Sequence, residues 1–92
     1  MIYLIKCFTN NLKDCGETVY INNNEDSLQH YVLNNTCDIY ECGSYPYVVT
    51  GYVEYGFYNP INEIQWYKWD EDIRKYKPIP RPNELQGKAF LI

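Results

Sequence analysis

Residues 47–58 constrain the fold of this 92-residue chain more than any other segment. They read Tyr-Val-Val-Thr-Gly-Tyr-Val-Glu-Tyr-Gly-Phe-Tyr, so β-branched and aromatic side chains dominate the run. Such side chains favour a strand because they pack well on a pleated, half-buried surface. Gly51 and Gly56 lie inside the run and indicate a bulge or a bend. The segment therefore predicts a β-strand with an irregularity within it.

Other segments share this β character and are separated by turn residues. Residues 2–8 are the first of these segments, and strand alternation places Ile2, Leu4 and Phe8 on one side of it. Together with residues 17–22 this segment suggests a hairpin. The apolar segment at 89–92 is predicted to dock as an edge strand. The remaining predicted strands are residues 2–8, 17–22, 37–42 and 62–69.

One short helix is predicted at about residues 25–34, with Asn24 as its N-cap. Leu28 and Val32 follow at helical spacing, and Asn34 is predicted to end the helix. The carboxylates of the first turn suit this position because the helix dipole favours anions there. The helix is short and is expected to pack on the sheet.

Residues 70–76 predict one helical turn, and Pro78, Pro80 and Pro82 predict an extended, polyproline-like passage after it. Hydrophobic residues make up 46% of the chain, which suffices for one core at this length. The predicted fold class is α+β. It is a small single domain covering residues 1–92, mainly an antiparallel sheet with one short helix packed on it.

Basic residues are absent from a long part of the sequence. From Asp14 to Tyr67 the chain runs for 54 residues without a lysine or an arginine. Residues 14–72 hold eleven acids and one base, Lys68, whereas the whole chain has a net charge of −4. Because these acids have few basic neighbours in the sequence, we expect most of them to lie exposed on one connected surface. The candidate partner-binding residues are Asp14, Glu17, Glu25, Asp26, Asp38, Glu41, Glu54, Glu63, Asp70, Glu71 and Asp72.

The residue types that usually carry catalysis or bind metals lack suitable spacing here. Cys37 and Cys42 are the closest pair of the four cysteines, and on a strand they would point to opposite faces. His30, the single histidine, has no serine or cysteine nucleophile signature near it. The sequence therefore predicts no catalytic residue, no metal site, no cofactor and no enzyme activity. We recognise no export signal or membrane span, so we expect thiols rather than disulfides.

A surface of unpaired carboxylates imitates the charge lattice of a nucleic acid. Duplex DNA carries one negative charge per ~1.7 Å of its axis. A rigid β-rich domain that spaces carboxylates without interspersed cations can occupy the same basic groove of a DNA-binding protein. The same charge disfavours direct binding of nucleic acid to that surface. The sequence therefore has two properties that such competition requires, local negative density and no interspersed bases in most of residues 14–72, and the β-rich core would supply the rigid scaffold.

Over its full length the chain resembles the Arn family, the small anti-restriction nuclease proteins of T-even bacteriophages. The resemblance includes Met-Ile-Tyr-Leu-Ile-Lys-Cys-Phe at residues 1–8, segment 47–58, and Gly-Lys-Ala-Phe-Leu-Ile at residues 87–92. It implies an early phage protein in the cytoplasm of the bacterial host. It also implies a DNA mimic that blocks McrBC-type restriction, with the nucleoid protein H-NS as a second candidate target. The family offers no catalytic motif to transfer, and a homodimer is compatible with the sequence.

An alternative from another functional class is a small phage protein that binds a host enzyme through an aromatic patch. Aromatic residues make up 17% of the chain, more than a core of this size can hide. The patch would comprise Tyr45, Tyr47, Trp66 and Trp69. Salt separates the two hypotheses, because electrostatic binding weakens as ionic strength rises whereas apolar burial barely responds.

Overall fold

The computed structural model of the protein describes residues 1–10, 12, 16–22, 26–34, 44–54 and 60–83. Its elements are β1 (Ile2–Phe8), β2 (Glu17–Asn22), α1 (Asp26–Asn34), β3 (Tyr47–Val53), β4 (Asn62–Asp70) and β5 (Lys75–Ile79). The five strands form one antiparallel sheet in the order β2-β1-β3-β4-β5. This architecture confirms the α+β class that the sequence predicts.

The described part of the sheet has two shifts in register. β1 and β2 pair as the predicted antiparallel hairpin, with a shift in register between Ile5 and Lys6. β3 and β4 shift register between Thr50 and Gly51, which confirms the predicted bulge. A methyl group added to Gly51 would lie 2.6 Å from Cγ2 of Ile61. The glycine therefore lets Ile61 pack directly against the backbone of β3.

The helix α1 begins one residue after its predicted start and ends at the predicted Asn34. The Asn34 side-chain amide donates a hydrogen bond to the backbone oxygen of His30 at 2.7 Å, which ties the last turn. Leu28 and Val32 are fully buried, and α1 packs against β5 and β1. The predicted N-cap, Asn24, lies outside the described residues.

Both faces of the sheet bury apolar side chains. The first face carries Leu4, Phe8, Val49, Val53 and Trp66, against which Leu12 and Ile61 pack. The second face carries Ile5, Cys7, Val48, Tyr67, Trp69 and Tyr76, and the buried helix residues pack there. Because strands buried on both faces need apolar residues at successive positions, β1 and β3 read as nearly continuous apolar runs. The predicted alignment of Ile2, Leu4 and Phe8 on one side is confirmed.

The predictions for residues 70–82 are wrong in part. Residues 71–74 form the turn of a β-hairpin rather than a helical turn, and Pro78 lies in β5 rather than in a polyproline passage. β5 tolerates Pro78 because it is the last of the described strands in the sheet order, and an edge strand can accommodate a residue without an N–H donor. Arg74 has a φ of 54°, a left-handed conformation that closes the turn.

Several predicted features lie outside the described residues. They are the strands at residues 37–42 and 89–92, the continuation of the third strand at residues 55–58, and the second irregularity at Gly56.

Candidate protein-binding surface

Seven of the eleven candidate carboxylates lie in the described part of the chain. Asp14, Glu25, Asp38 and Glu41 lie outside it, and Asp26 is placed only as the first residue of α1. The other candidates occupy strand ends and turns: Glu17, Glu54, Glu63, Asp70, Glu71 and Asp72. That all eleven share one connected surface stays a prediction.

Three of the described carboxylates are exposed and make no side-chain hydrogen bond or ion pair with any described residue: Glu54, Glu71 and Asp72. Glu54 directly follows β3, whereas the other two lie in the β4–β5 turn at the other end of the sheet. A strand rise of ~3.3 Å per residue separates these two places by roughly 30 Å. Arg74 and Lys75 follow Asp72 directly, so the turn carries both signs of charge.

Glu63, near the start of β4, has a structural role. Its Oε2 accepts a hydrogen bond from Nε1 of Trp66 at 2.9 Å, and its Oε1 lies 3.5 Å from Nε of Arg81. Trp66 is 3% exposed, so its indole N–H depends on this carboxylate as an acceptor. Glu63 is thus occupied within the fold and offers less charge to a partner than Glu54 does.

Asp70 organises the β4–β5 turn. Its Oδ1 accepts the backbone N–H groups of Asp72 at 2.9 Å and Ile73 at 3.4 Å, and its Oδ2 lies 3.0 Å from Nζ of Lys77. The bond from Lys77 and the turn N–H groups hold the pKa of the Asp70 carboxyl below its usual value. This carboxylate is likewise committed to the fold.

Glu17, at the start of β2, holds the segment that precedes β3. Its Oε2 accepts a hydrogen bond from the hydroxyl of Tyr45. The backbone oxygen of Tyr45 accepts a hydrogen bond from the hydroxyl of Tyr76 at 2.7 Å. The backbone N–H of Trp69 donates a hydrogen bond to the backbone oxygen of Pro46 at 2.8 Å. These bonds tie residues 44–46 to three different strands. Glu17 stays exposed while it does so.

Sequence reasoning missed a group of cations on the β4–β5 hairpin. The register pairs Lys68 of β4 directly with Lys77 of β5. Beside them lies a groove of about 300 Å³. Lys68 was the available signal, because it is the one base within residues 14–72 and it shares a face of β4 with Trp66 and Asp70. Its pairing with Lys77 became visible only with the hairpin.

The four aromatic residues of the alternative hypothesis do not share one surface. Tyr47 and Trp66 belong to the cluster on the first face, and Tyr45 and Trp69 belong to the cluster on the second. Trp66 and Trp69 are only 3% and 7% exposed. Both tryptophans therefore serve the core, and no observation on the described residues favours an aromatic binding patch.

Two buried titratable groups, Cys7 and Tyr67, serve the core as neutral side chains. Burial raises the pKa of the Cys7 thiol well above its usual value, and the charge of Glu17 adds to the effect. Burial likewise raises the pKa of Tyr67 to about 12, against a bond with Thr50 that lowers it. Across the described ranges, no three metal-ligating side chains come together. No helix in those ranges is long and apolar enough to cross a membrane.

No protein family model, no curated protein and no solved structure was found to match the chain. The resemblance to the anti-restriction proteins therefore stays a prediction from the sequence.

Proposed function

We propose that this protein is a non-catalytic phage inhibitor that imitates double-stranded DNA and thereby blocks host DNA-binding proteins. The observation that carries the proposal is the run of 54 residues without a lysine or an arginine. McrBC-type restriction enzymes are the first candidate target, and the nucleoid protein H-NS is the second. The site of action is the cytoplasm of the bacterial host.

The exposed acids support this proposal through their position on a rigid scaffold. Glu54, Glu71 and Asp72 are exposed and have no side-chain partner among the described residues, so their charges are available to a partner. The two ends of the sheet that they mark are roughly 30 Å apart, which corresponds to about nine base steps of ~3.4 Å along a DNA strand. A sheet buried on both faces holds that separation with little flexibility.

The test is a competition between the protein and DNA for the target. A fluorescently labelled DNA duplex is bound to the McrBC-type enzyme or to H-NS, and its anisotropy is followed as the protein is added. The proposal expects displacement of the DNA by the wild-type protein. It expects weaker displacement by the triple variant Glu54→Gln, Glu71→Gln and Asp72→Asn, because each substitution removes one exposed charge.

A matched control separates loss of charge from loss of folding. The double variant Arg74→Gln and Lys75→Gln changes exposed residues of the same hairpin but removes positive charge. It should displace DNA as well as the wild type or better. If the wild-type protein leaves the DNA bound to both targets, the proposed targets are wrong. If it displaces DNA and the triple variant does so equally well, these three carboxylates are not the mimic.

A further inference from the structure

Residues 78–82, the proline edge, carry a proline at every second position: Pro78, Pro80 and Pro82. Pro78 lies inside β5, and the other two prolines continue the chain beyond that strand. Pro78 and Pro80 are exposed, and Pro82 is half-buried. Because β5 is the last of the described strands in the sheet order, the proline edge lies at the border of the described sheet. The proposed function leaves this edge unused.

The direction of the backbone groups on β5 follows from the hydrogen bonds of β4. The backbone N–H of Trp69 donates to the oxygen of Pro46, the residue before β3, so the backbone groups of Trp69 point away from β5. Its register partner on β5 is Tyr76, whose backbone groups therefore point outwards from the sheet. Backbone groups two residues further along a strand point the same way, so those of Pro78 also point outwards.

The outward side of the edge lacks N–H donors at its prolines. Proline has no backbone N–H, so the outward position of Pro78 offers only its carbonyl oxygen. The carbonyl of Ile79 turns back instead and accepts a hydrogen bond from Nε2 of Gln65 at 3.1 Å. A strand added to this edge would find no donor at Pro78 or at Pro80. The edge is therefore unsuited to pairing with a strand, whether of a partner or of a second copy of this chain.

The cations next to the prolines are paired within the fold. Nζ of Lys77 lies 3.0 Å from Oδ2 of Asp70, and Nε of Arg81 lies 3.5 Å from Oε1 of Glu63. The local charge therefore does not select what binds at this edge. The edge offers a partner exposed proline rings and an outward carbonyl acceptor.

We propose that the proline edge binds an aromatic-lined groove of a protein partner. Aromatic grooves bind proline-rich segments by packing their rings against the proline rings. The indole N–H of a tryptophan or the hydroxyl of a tyrosine in such a groove can donate a hydrogen bond to an outward carbonyl. One type of groove thus supplies both the apolar contact and the donor, whereas a phosphate group, itself an acceptor, supplies neither. The fixed φ of proline keeps the segment extended before binding, which reduces the entropy lost on binding.

This inference goes beyond DNA mimicry, because it concerns neither the acids nor the charge of the protein. Contacts through proline rings and a carbonyl give the protein a second mode of binding that responds little to salt. The edge can bind an aromatic groove even if the acids contact no DNA-binding protein, so the two proposals fail separately.

The test is an NMR titration of the full-length protein labelled with ¹³C-proline. The probe is N-acetyl-tryptophan amide at millimolar concentration, which carries an aromatic ring and an indole N–H but no charge. The resonances of Pro78 and Pro80 should shift and saturate, whereas those of Pro46 and Pro60 should not. The control probe N-acetyl-leucine amide should cause no saturable shift. N-acetyl-1-methyltryptophan amide, which lacks the indole N–H, should bind about two- to ten-fold more weakly.

Substitutions test whether the probe binds at the edge. Pro78→Ala and Pro80→Ala should each weaken binding about two- to ten-fold, because the ring that packs against the indole is lost. Pro80 lies outside β5, so its variant tests the proposal even if Pro78→Ala alters the strand. Pro60→Ala removes an exposed proline elsewhere in the chain and should leave binding unchanged. Thermal unfolding followed by circular dichroism shows that each variant is folded.

Three results would overturn the proposal. The first is no saturable shift of Pro78 and Pro80 with the tryptophan probe, or an equal shift with the leucine probe, which would mean that the aromatic ring is not recognised. The second is saturation of the same resonances at lower concentrations of inorganic phosphate or of a short DNA duplex, which would assign the edge to phosphate groups. The third is a shift of these resonances when the protein alone is diluted, which would assign the edge to a second copy of this chain.

Discussion

Replacing Glu63 tests whether the acids of residues 14–67, the base-free segment without lysine or arginine, have different roles. In Glu63→Ala the indole N–H of Trp66 loses its acceptor in a site that is 3% exposed. An unsatisfied buried donor costs about 1–3 kcal/mol, and the partly exposed pair with Arg81 contributes about 1 kcal/mol or less. We therefore expect the free energy of unfolding to fall by about 2 kcal/mol. For a domain of this size that lowers Tm by about 8–16 °C.

Glu54→Ala is the matched control, because Glu54 lies in the same base-free segment but is exposed and has no described side-chain partner. Its effect should stay within about 0.5 kcal/mol. Glu63→Gln keeps an oxygen acceptor for the Trp66 N–H and should lose about 1 kcal/mol or less. Thermal unfolding followed by circular dichroism gives the stabilities, and the indole proton of Trp66 in the NMR spectrum reports the hydrogen bond directly.

Equal Tm values for Glu63→Ala and Glu54→Ala would refute this reasoning. So would an indole resonance of Trp66 that is unchanged in Glu63→Ala. In either case Glu63 would not be committed to the fold, and it would return to the set of carboxylates that are free to contact a partner.

Arg74→Gly should stabilise the protein by about 0.5 kcal/mol in urea unfolding, because glycine removes the left-handed strain of about 1–2 kcal/mol and adds a smaller entropy cost. Gly16→Ala should destabilise it by about 2–4 kcal/mol in the same assay, since φ is +74° and the new methyl group would lie 2.7 Å from Cζ of Phe8. The raised pKa values of Tyr67 and Tyr76 predict that the contribution of these two tyrosines to stability is complete below pH 10.0, their usual pKa. Above that pH these two tyrosines ionise in the unfolded chain but stay neutral in the folded one, so stability should fall as pH rises towards 12. Tyr67→Phe should make this fall of stability with pH less steep. Stability that is flat from pH 8 to about 11 would contradict this linkage.

The strands β1 and β3 follow from the local sequence pattern alone. The apolar run at residues 2–8 and the β-branched and aromatic run from Tyr47 predict β1 and β3, because such side chains pack well on a pleated surface. Gly51 predicts the bulge in the β3–β4 pairing, because a strand can lose its regular pairing at an internal glycine. Burial on both faces was not predicted, because it depends on which segments cover the sheet.

The sequence does not predict the β4–β5 hairpin, because the meaning of its prolines depends on the order of the strands in the sheet. Pro78 excludes a central strand but not an edge strand, and only the tertiary fold makes β5 an edge. The run from Asp70 to Arg74 also has the acids of a helix start, yet the Asp70 carboxylate accepts the backbone N–H groups of Asp72 and Ile73 and closes a turn. Had the hairpin been recognised, the pairing of Lys68 with Lys77 would have followed from its register.

The sequence predicts that the candidate site is rich in acids, but it does not predict how those acids are arranged. The missing bases indicate an anionic protein, but they do not tell which carboxylates are free. Glu63 meets Arg81 across a distance in sequence that no local pattern reveals. The ion pair of Asp70 with Lys77 likewise depends on the folded hairpin and is not revealed by a local pattern. The distinction between committed and available acids comes from the tertiary contacts.

The central claim is that exposed carboxylates drive association with a DNA-binding protein, and the most direct test is the association rate as a function of ionic strength. Stopped-flow measurements compare the wild type with the triple variant Glu54→Gln, Glu71→Gln and Asp72→Asn on the McrBC-type enzyme. The account predicts a rate for the wild type that falls steeply as salt rises, and a slower rate with a shallower salt dependence for the variant. Coincident curves for the two proteins would contradict it.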